Sequence, residues 1–338
     1  MKKIILPALV ATAAILLCTL FLYMPFFMSR TSDEPGGDYG SKIVLGFAQL
    51  GAESEWRSAS SESVKRAAEK YGIELMFENA QQKQENQIKA IRSFIAHRVD
   101  VIAFAPVVET GWDNVLIEAR EERIPVILVD RRIQTEFGDL YASFLGSDFA
   151  DEGGKAGRWM TQKFAGTSGD VNIVELRGTD GASPTKGRGE GFREAISSDA
   201  RFSIICSESG DFMRSKGRET MEGILGEHHV PNEGRRIDVL FAHNDDMALG
   251  AVETMESRGI APGRDIVIIS VDAQRSALEA LAEGKLNCVV ECSPYVGERL
   301  MELVVALVSG DAIPQAIFSD ETMFTEDDPP ESLPERPY

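Results

Sequence analysis

From Lys42 to Gly310 short apolar runs alternate with amphipathic stretches, and this alternation limits the possible folds more than any single motif does. "KIVLGFAQL" (42–50) is rich in branched residues, and "SESVKRAAEKYG" (61–72) is a helix pattern that stops at a glycine. "IELMFEN", "VDVIAFAPV" and "IPVILVDRR" follow, separated by the helix patterns "ENQIKAIRSFIAHR" and "WDNVLIEAREER". After "YASFLGSDFADEGG" the rhythm resumes with a helix expected at 154–164, then "DVNIVELRG", a helix near 187–197, "FSIICSESG" and "SKGRETMEGILGE". "VLFA" (239–242), "DIVIISVDA" and "LNCVVECSP" complete a second series of runs. Continuous apolar runs between amphipathic helices indicate parallel strands covered on both faces. The pattern predicts an α/β protein with two doubly wound halves. A last helix pattern, "VGERLMELVVALVSG", follows both, so the chain is expected to cross back to the first half.

The amino terminus stands apart. Lys2 and Lys3 precede an uncharged run at 4–28. A bilayer span needs roughly 20 apolar residues, more than a cleaved signal peptide carries, so an anchor is expected and a signal peptide is the alternative. Lysines before the run put that end in the cytoplasm and the remainder outside. "SRTSDEPGGDYGS" (29–41) reads as a linker and 329–338 as a disordered tail. Cys206, Cys288 and Cys292 have no metal-ligand spacing, and four residues of strand (about 13 Å) are too long for a disulfide between the last two.

Charge and motifs remove several functions. Lys plus Arg number 35 against 54 Asp plus Glu, a net charge of −19 that repels nucleic acid. "GFAQLGAES" after the first run is not a phosphate-binding turn, and "GTDGASP" lacks the frame of a nucleophile elbow. His243 has no Cys or Ser partner in sequence. Adjacent Asp245 and Asp246 evoke a glycosidase pair, but neighbours at a helix start rarely reach one substrate atom. The expectation is that Asp246 caps the helix and Asn244 contacts a ligand. No cofactor or metal is expected, and the chain is expected to be a monomer.

In doubly wound folds ligands bind outside the carboxyl ends of the strands. That rule selects 52–57, 79–82, 130–131, 178–188, 211–212, 244–246 and 272, mostly Asp, Asn, Gln, Arg and aromatics. Planar bidentate groups and ring faces suit the hydroxyls and CH faces of a sugar.

"AQLGAESEWR", "ENAQQKQENQIKAIRSFIA", "APVVETGW", "LVDR", "VELRGTDGAS", "SGDFMRSKGRETME" and "AHNDDMALGA" together resemble the ribose/galactose-type (type I) substrate-binding proteins of ABC sugar transporters. Within that group they are most similar to the galactofuranose-binding branch, over about 42–294. The resemblance implies two lobes, 43–147 plus 293–318 and 148–292 plus 319–328, joined by a multi-strand hinge with a monosaccharide between them. It implies that Trp56 and Phe212 stack on the sugar. Glu55, Arg57, Gln82, Asp130, Arg131, Asn244 and Asp272 are then expected to hold its polar groups. Lys186 falls where many ribose-type relatives carry a binding Arg. Cys292 falls where they carry Gln, and Glu291 matches the galactofuranose branch. The implied partners are a monosaccharide, an ABC permease and ATPase complex, and the membrane through the amino-terminal segment. A membrane-anchored sugar sensor is the alternative function, and an enzyme a more distant one.

Overall fold

A computed structural model describes residues 42–229, 236–328 and 338. The expected anchor and linker, and the tail through 337, lie outside the described residues. Within them no helix is long and apolar enough to cross a membrane.

The first sheet contains β1 (Val44–Gln49), β2 (Glu74–Asn79), β3 (Val101–Phe104), β4 (Val126–Val129), β5 (Ser143–Gly146) and a late strand, β11 (Ala316–Phe318). Its order is β11-β5-β4-β3-β1-β2, parallel throughout. The second contains β6 (Val171–Arg177), β7 (Phe202–Ser209), β8 (Val239–Ala242), β9 (Val267–Asp272), β10 (Cys288–Glu291) and β12 (Met323–Thr325). Its order, β12-β10-β9-β8-β6-β7, repeats the first, except that β12 runs antiparallel. The central strands are buried on both faces, as continuous apolar runs require.

Helices α1 (Glu55–Tyr71), α2 (Gln84–His97) and α3 (Asp113–Glu121) belong to the first lobe. Helices α4 (Phe149–Lys163), α5 (Ser183–Ile196), α6 (Arg214–His228), α7 (Asp245–Ser257) and α8 (Arg275–Ala282) belong to the second. The final helix, α9 (Gly297–Ser309), returns to the first lobe, where Leu300, Met301 and Val304 pack with Leu45 and Val64. The chain thus passes between lobes after β5, after β10, and between β11 and β12.

In each sheet the chain steps outward once and then returns to the other side of its starting strand. The reversals, between β1 and β3 and between β6 and β8, are the switch points where crevices open. Tyr338, expected in a disordered tail, is buried. Its carbonyl accepts a 2.7 Å bond from Arg275 N, and its ring meets Tyr295 edge-on at 5.5 Å.

Candidate functional site

Strand ends in this protein turn sharply. Left-handed backbone follows β2 at Gln81 and Gln82, β4 at Asp130, β7 at Asp211 and Phe212, and β9 at Asp272 and Ala273. Such conformations are disfavoured for side-chain-bearing residues and persist where the surrounding structure holds them, often at binding sites. At Gly178, after β6, an added Cβ would lie 1.9 Å from Phe212 Cζ, so the glycine lets that ring lie against the strand end.

The turns bring Glu53, Trp56, Arg57, Asp130 and Arg131 from the first lobe opposite Pro184, Arg188, Phe212, Asn244 and Asp272 from the second. Together they line a small cavity between the lobes. Its charges are almost wholly buried and arranged in alternation. Arg57 Nε donates to Glu53 Oε1 at 3.0 Å, and its Nη2 stands 2.7 Å from Asp130 Oδ2. Arg131 lies 3.7 Å from Glu53 and 3.8 Å from Asp130, while Nη1 donates to Val107 O. On the facing lobe Arg188 Nε donates to Glu152 Oε2 at 2.7 Å, and Nη2 is 3.7 Å from Asp272 Oδ1. Guanidinium groups also lie over both rings: Arg57 over Trp56 at 4.7 Å and Arg131 over Phe212 at 5.2 Å.

Burial works against every one of these charges. For Arg57 the carboxylates of Asp130 and Glu53 outweigh it, and the pKa is raised. Arg131 is pulled down to about 10, by burial and then by the neighbouring Arg57, and stays charged at neutral pH. Burial also pushes the Asp272 carboxyl well above its ordinary value. Glu53 Oε2, Arg57 Nη1 and Arg131 Nε are buried with no hydrogen-bond partner in the protein. Buried polar atoms of native proteins are nearly always paired, so these three are poised to receive polar groups of a ligand.

Of the residues expected at the site, Trp56, Arg57, Asp130, Arg131, Phe212, Asn244 and Asp272 converge on this cavity. Glu55, Gln82, Lys186 and Glu291 do not. Glu55 is exposed on an outer groove, and Gln82 lies on a rim pocket with Met213 and Arg214. Glu291 accepts a bond from Thr322 N. Lys186 points to solvent because it is two residues from Arg188 on α5, nearly the opposite face of a helix. Arg188 is the cation that enters the cavity.

The helix cap also differs from expectation. Asn244 itself caps α7, accepting from Met247 N at 3.1 Å and donating to Phe212 O at 3.2 Å. Asp245 accepts from Ser270 Oγ and, at 2.7 Å, from Gln274 N. Asp246 reaches the opposite lobe, accepting from Glu55 N at 3.1 Å. Neither carboxylate lines the cavity, so they do not form a catalytic pair around its contents. His243 is buried against Glu175 at 3.1 Å, and burial lowers its pKa. Near the hinge, Glu152, Cys292 and Glu321 approach one another within 4.8 Å. Arg188 already neutralises Glu152 there, and Glu321 accepts from Ser147 Oγ and Ser293 N. That set is a crowded carboxyl pair with a thiol rather than an arranged metal centre.

Comparison with known proteins follows the same lines. A family profile described as a periplasmic binding protein domain matches residues 45–312. The galactofuranose-binding protein YtfQ of Escherichia coli is 40% identical over 292 residues, 86% of this chain and 90% of that protein. A Mycobacterium smegmatis structure in complex with β-D-fucofuranose superposes with a TM-score of 0.81 at 48% identity, over 84% of this chain and 92% of that one. The binding component of the arabinose ABC transporter from Shewanella sp. ANA-3, bound to α- and β-L-arabinofuranose, gives 0.80 at 43% identity, over 84% and 92%. The chain belongs to the periplasmic binding protein family.

Proposed function

We propose that this protein captures a monosaccharide in its furanose form between the two lobes and delivers it to an ABC importer. One observation carries the reading: a small cavity between the lobes lined by buried Arg57, Asp130, Arg131 and Asp272 beside Trp56 and Phe212. Alternating buried donors and acceptors with two rings suit a small polyhydroxylated ring. The furanose complexes of chains 43–48% identical support the ring form.

The test is a thermal-shift and calorimetry panel on residues 42–338. It should contain arabinose, galactose and fucose, their methyl furanosides, and methyl pyranosides that cannot open. A ligand at a hundred times its dissociation constant adds about 2.7 kcal/mol of stability. Furanosides are expected to bind and pyranosides to fail. Equal binding of the locked pyranosides overturns the furanose assignment.

We also propose that the run at 4–28 stays on the mature protein as an anchor, keeping the lobes at the outer face of the cytoplasmic membrane beside the permease and ATPase complex. Fractionation with membranes is expected. A soluble mature chain starting near Thr31 overturns it.

A further inference from the structure

Among the described residues, hydrogen bonds join the lobes away from the chain crossings or close beside one of them. Trp56 Nε1 donates to Cys292 O at 2.7 Å, Glu109 N to Gly181 O at 2.9 Å, Arg132 N to Ser183 Oγ at 2.9 Å, and Glu55 N to Asp246 Oδ2 at 3.1 Å. The last differs in kind, because its acceptor is a carboxylate and its donor is the first residue of a helix of 17 residues. Amides of a first helical turn have no partner within the helix, and the helix dipole favours negative charge beside them. Ser54 satisfies Arg57 N from within the lobe, and Asp246 satisfies Glu55 N from across the cleft.

Asp246 is not a sugar contact. It lines the outer groove and the rim, not the cavity. It is nevertheless wired to the cavity. Gln274, fully buried, donates its Nε2 to Asp246 Oδ2 at 2.9 Å and also lies 3.4 Å from Asp272 Oδ2. Asp245 holds the backbone of Gln274 in place. One side-chain amide therefore serves both a carboxylate that faces the sugar and a carboxylate that grips the other lobe.

We propose that Asp246 is a positioning residue for sugar capture: its carboxylate latches the second lobe onto the first turn of α1, and Gln274 ties that latch to Asp272 in the cavity. The inference rests on the capture reading above. Opening the lobes breaks the bond to Glu55 N and leaves both groups to water, so the contact stabilises the closed form alone. A ligand affinity that depends on the closed population falls when that form loses a contact.

Two substitutions remove the same bond from opposite ends. Asp246→Ala deletes the acceptor. Glu55→Pro deletes the donor at a first helical position, where proline is favoured, after a Ser54 backbone already extended as proline demands. With the best sugar of the panel, each is expected to weaken binding about ten- to hundredfold, as loss of a charge-assisted bond predicts. Stopped-flow kinetics should place the loss in dissociation, with association within about threefold, since the open form that meets the sugar is unchanged. The double variant should bind no worse than the weaker single one, because the two changes remove one interaction. Additive losses, affinities within twofold of wild type, or a loss confined to association overturn the latch. Hydrogen exchange at residues 54–57 in the sugar-bound protein reads the latch in the closed form and should be faster in Asp246→Ala. Equal exchange overturns the latch, whereas a wild type that binds no sugar of the panel overturns the capture reading on which the latch rests.

Discussion

Arg57, Asp130, Arg131 and Asp272 are charged or chargeable groups that retain 5% or less of their surface, and each is held by a neighbour of opposite sign. Removing one leaves its partner buried without compensation, in addition to losing any bond to the ligand. Asp130→Ala, Arg131→Ala and Asp272→Ala should each weaken sugar binding at least about a hundredfold, roughly 2.7 kcal/mol. Glu227→Ala, whose side chain is 80% exposed beside His228, should change nothing. Calorimetry on the four variants checks this, and wild-type affinity in folded Asp130 and Asp272 variants would place the ligand elsewhere. Residue types at strand ends made most of these groups legible. Two lay in the selected segments 52–57 and 178–188 but were not singled out, for identifiable reasons. Glu53 precedes its helix but sits four residues before Arg57, a spacing that brings opposite charges together. Arg188 was passed over for Lys186, although it is four residues after Pro184 and shares its helical face. Asp246 lay in the selected segment 244–246 and was expected to cap its helix, but its grip on the other lobe was not legible, because the partner is an amide 191 positions away.

The order of strands and helices could be read from apolar periodicity, but the start of α4 could not. "DEGG" resembles a turn, whereas the helix begins at Phe149 with Asp148 as its cap, accepting from Asp151 N at 3.1 Å. The glycines serve packing instead of turning. An added Cβ at Gly153 would lie 2.0 Å from Arg188 O, and one at Gly191 would lie 2.0 Å from Ala150 O. Helices α4 and α5 therefore touch backbone to backbone, and this close approach sets where α5 holds Arg188. Gly191→Ala should push the helices apart, destabilise the protein by about 1–3 kcal/mol and weaken sugar binding with it. Thermal melting with calorimetry measures both effects, and an unchanged melting temperature would show that the contact relaxes freely. Strands β11 and β12, three residues each, are too short for periodicity to reveal and are defined by their pairing with β5 and β10.

At the scale of the whole molecule, the lobes turn on three chain crossings, and a polar side chain from two of them meets the third. Ser147 follows β5, Cys292 follows β10, and Glu321 lies between β11 and β12. Ser147 Oγ donates to Glu321 Oε1 and lies 3.4 Å from Cys292 Sγ. Burial, and then the charge of Glu152, pushes the Glu321 carboxyl up to about 8. Its folded pKa thus exceeds its unfolded value of 4.5, so the folded state holds a proton that the unfolded chain has released. By linkage, the stability this group contributes is present below pH 4.5 and is lost as pH rises through about 8. Asp245, raised by burial to about 8, acts in the same direction. Glu175 is lowered to about 2, where His243, Ser207 and Arg193 outweigh burial, so its contribution is lost only in acid, outside this window. His243, lowered by burial, opposes this trend only below its unfolded value of 6.5, so the melting temperature of the unliganded protein should fall from pH 7 to pH 9. Glu321→Gln keeps an oxygen to accept from Ser147 and cannot ionise, so its melting temperature should fall less steeply over the same range. Parallel slopes for variant and wild type would mean that Glu321 is ionised throughout, and the hinge would then carry a full negative charge beside Glu152 at neutral pH.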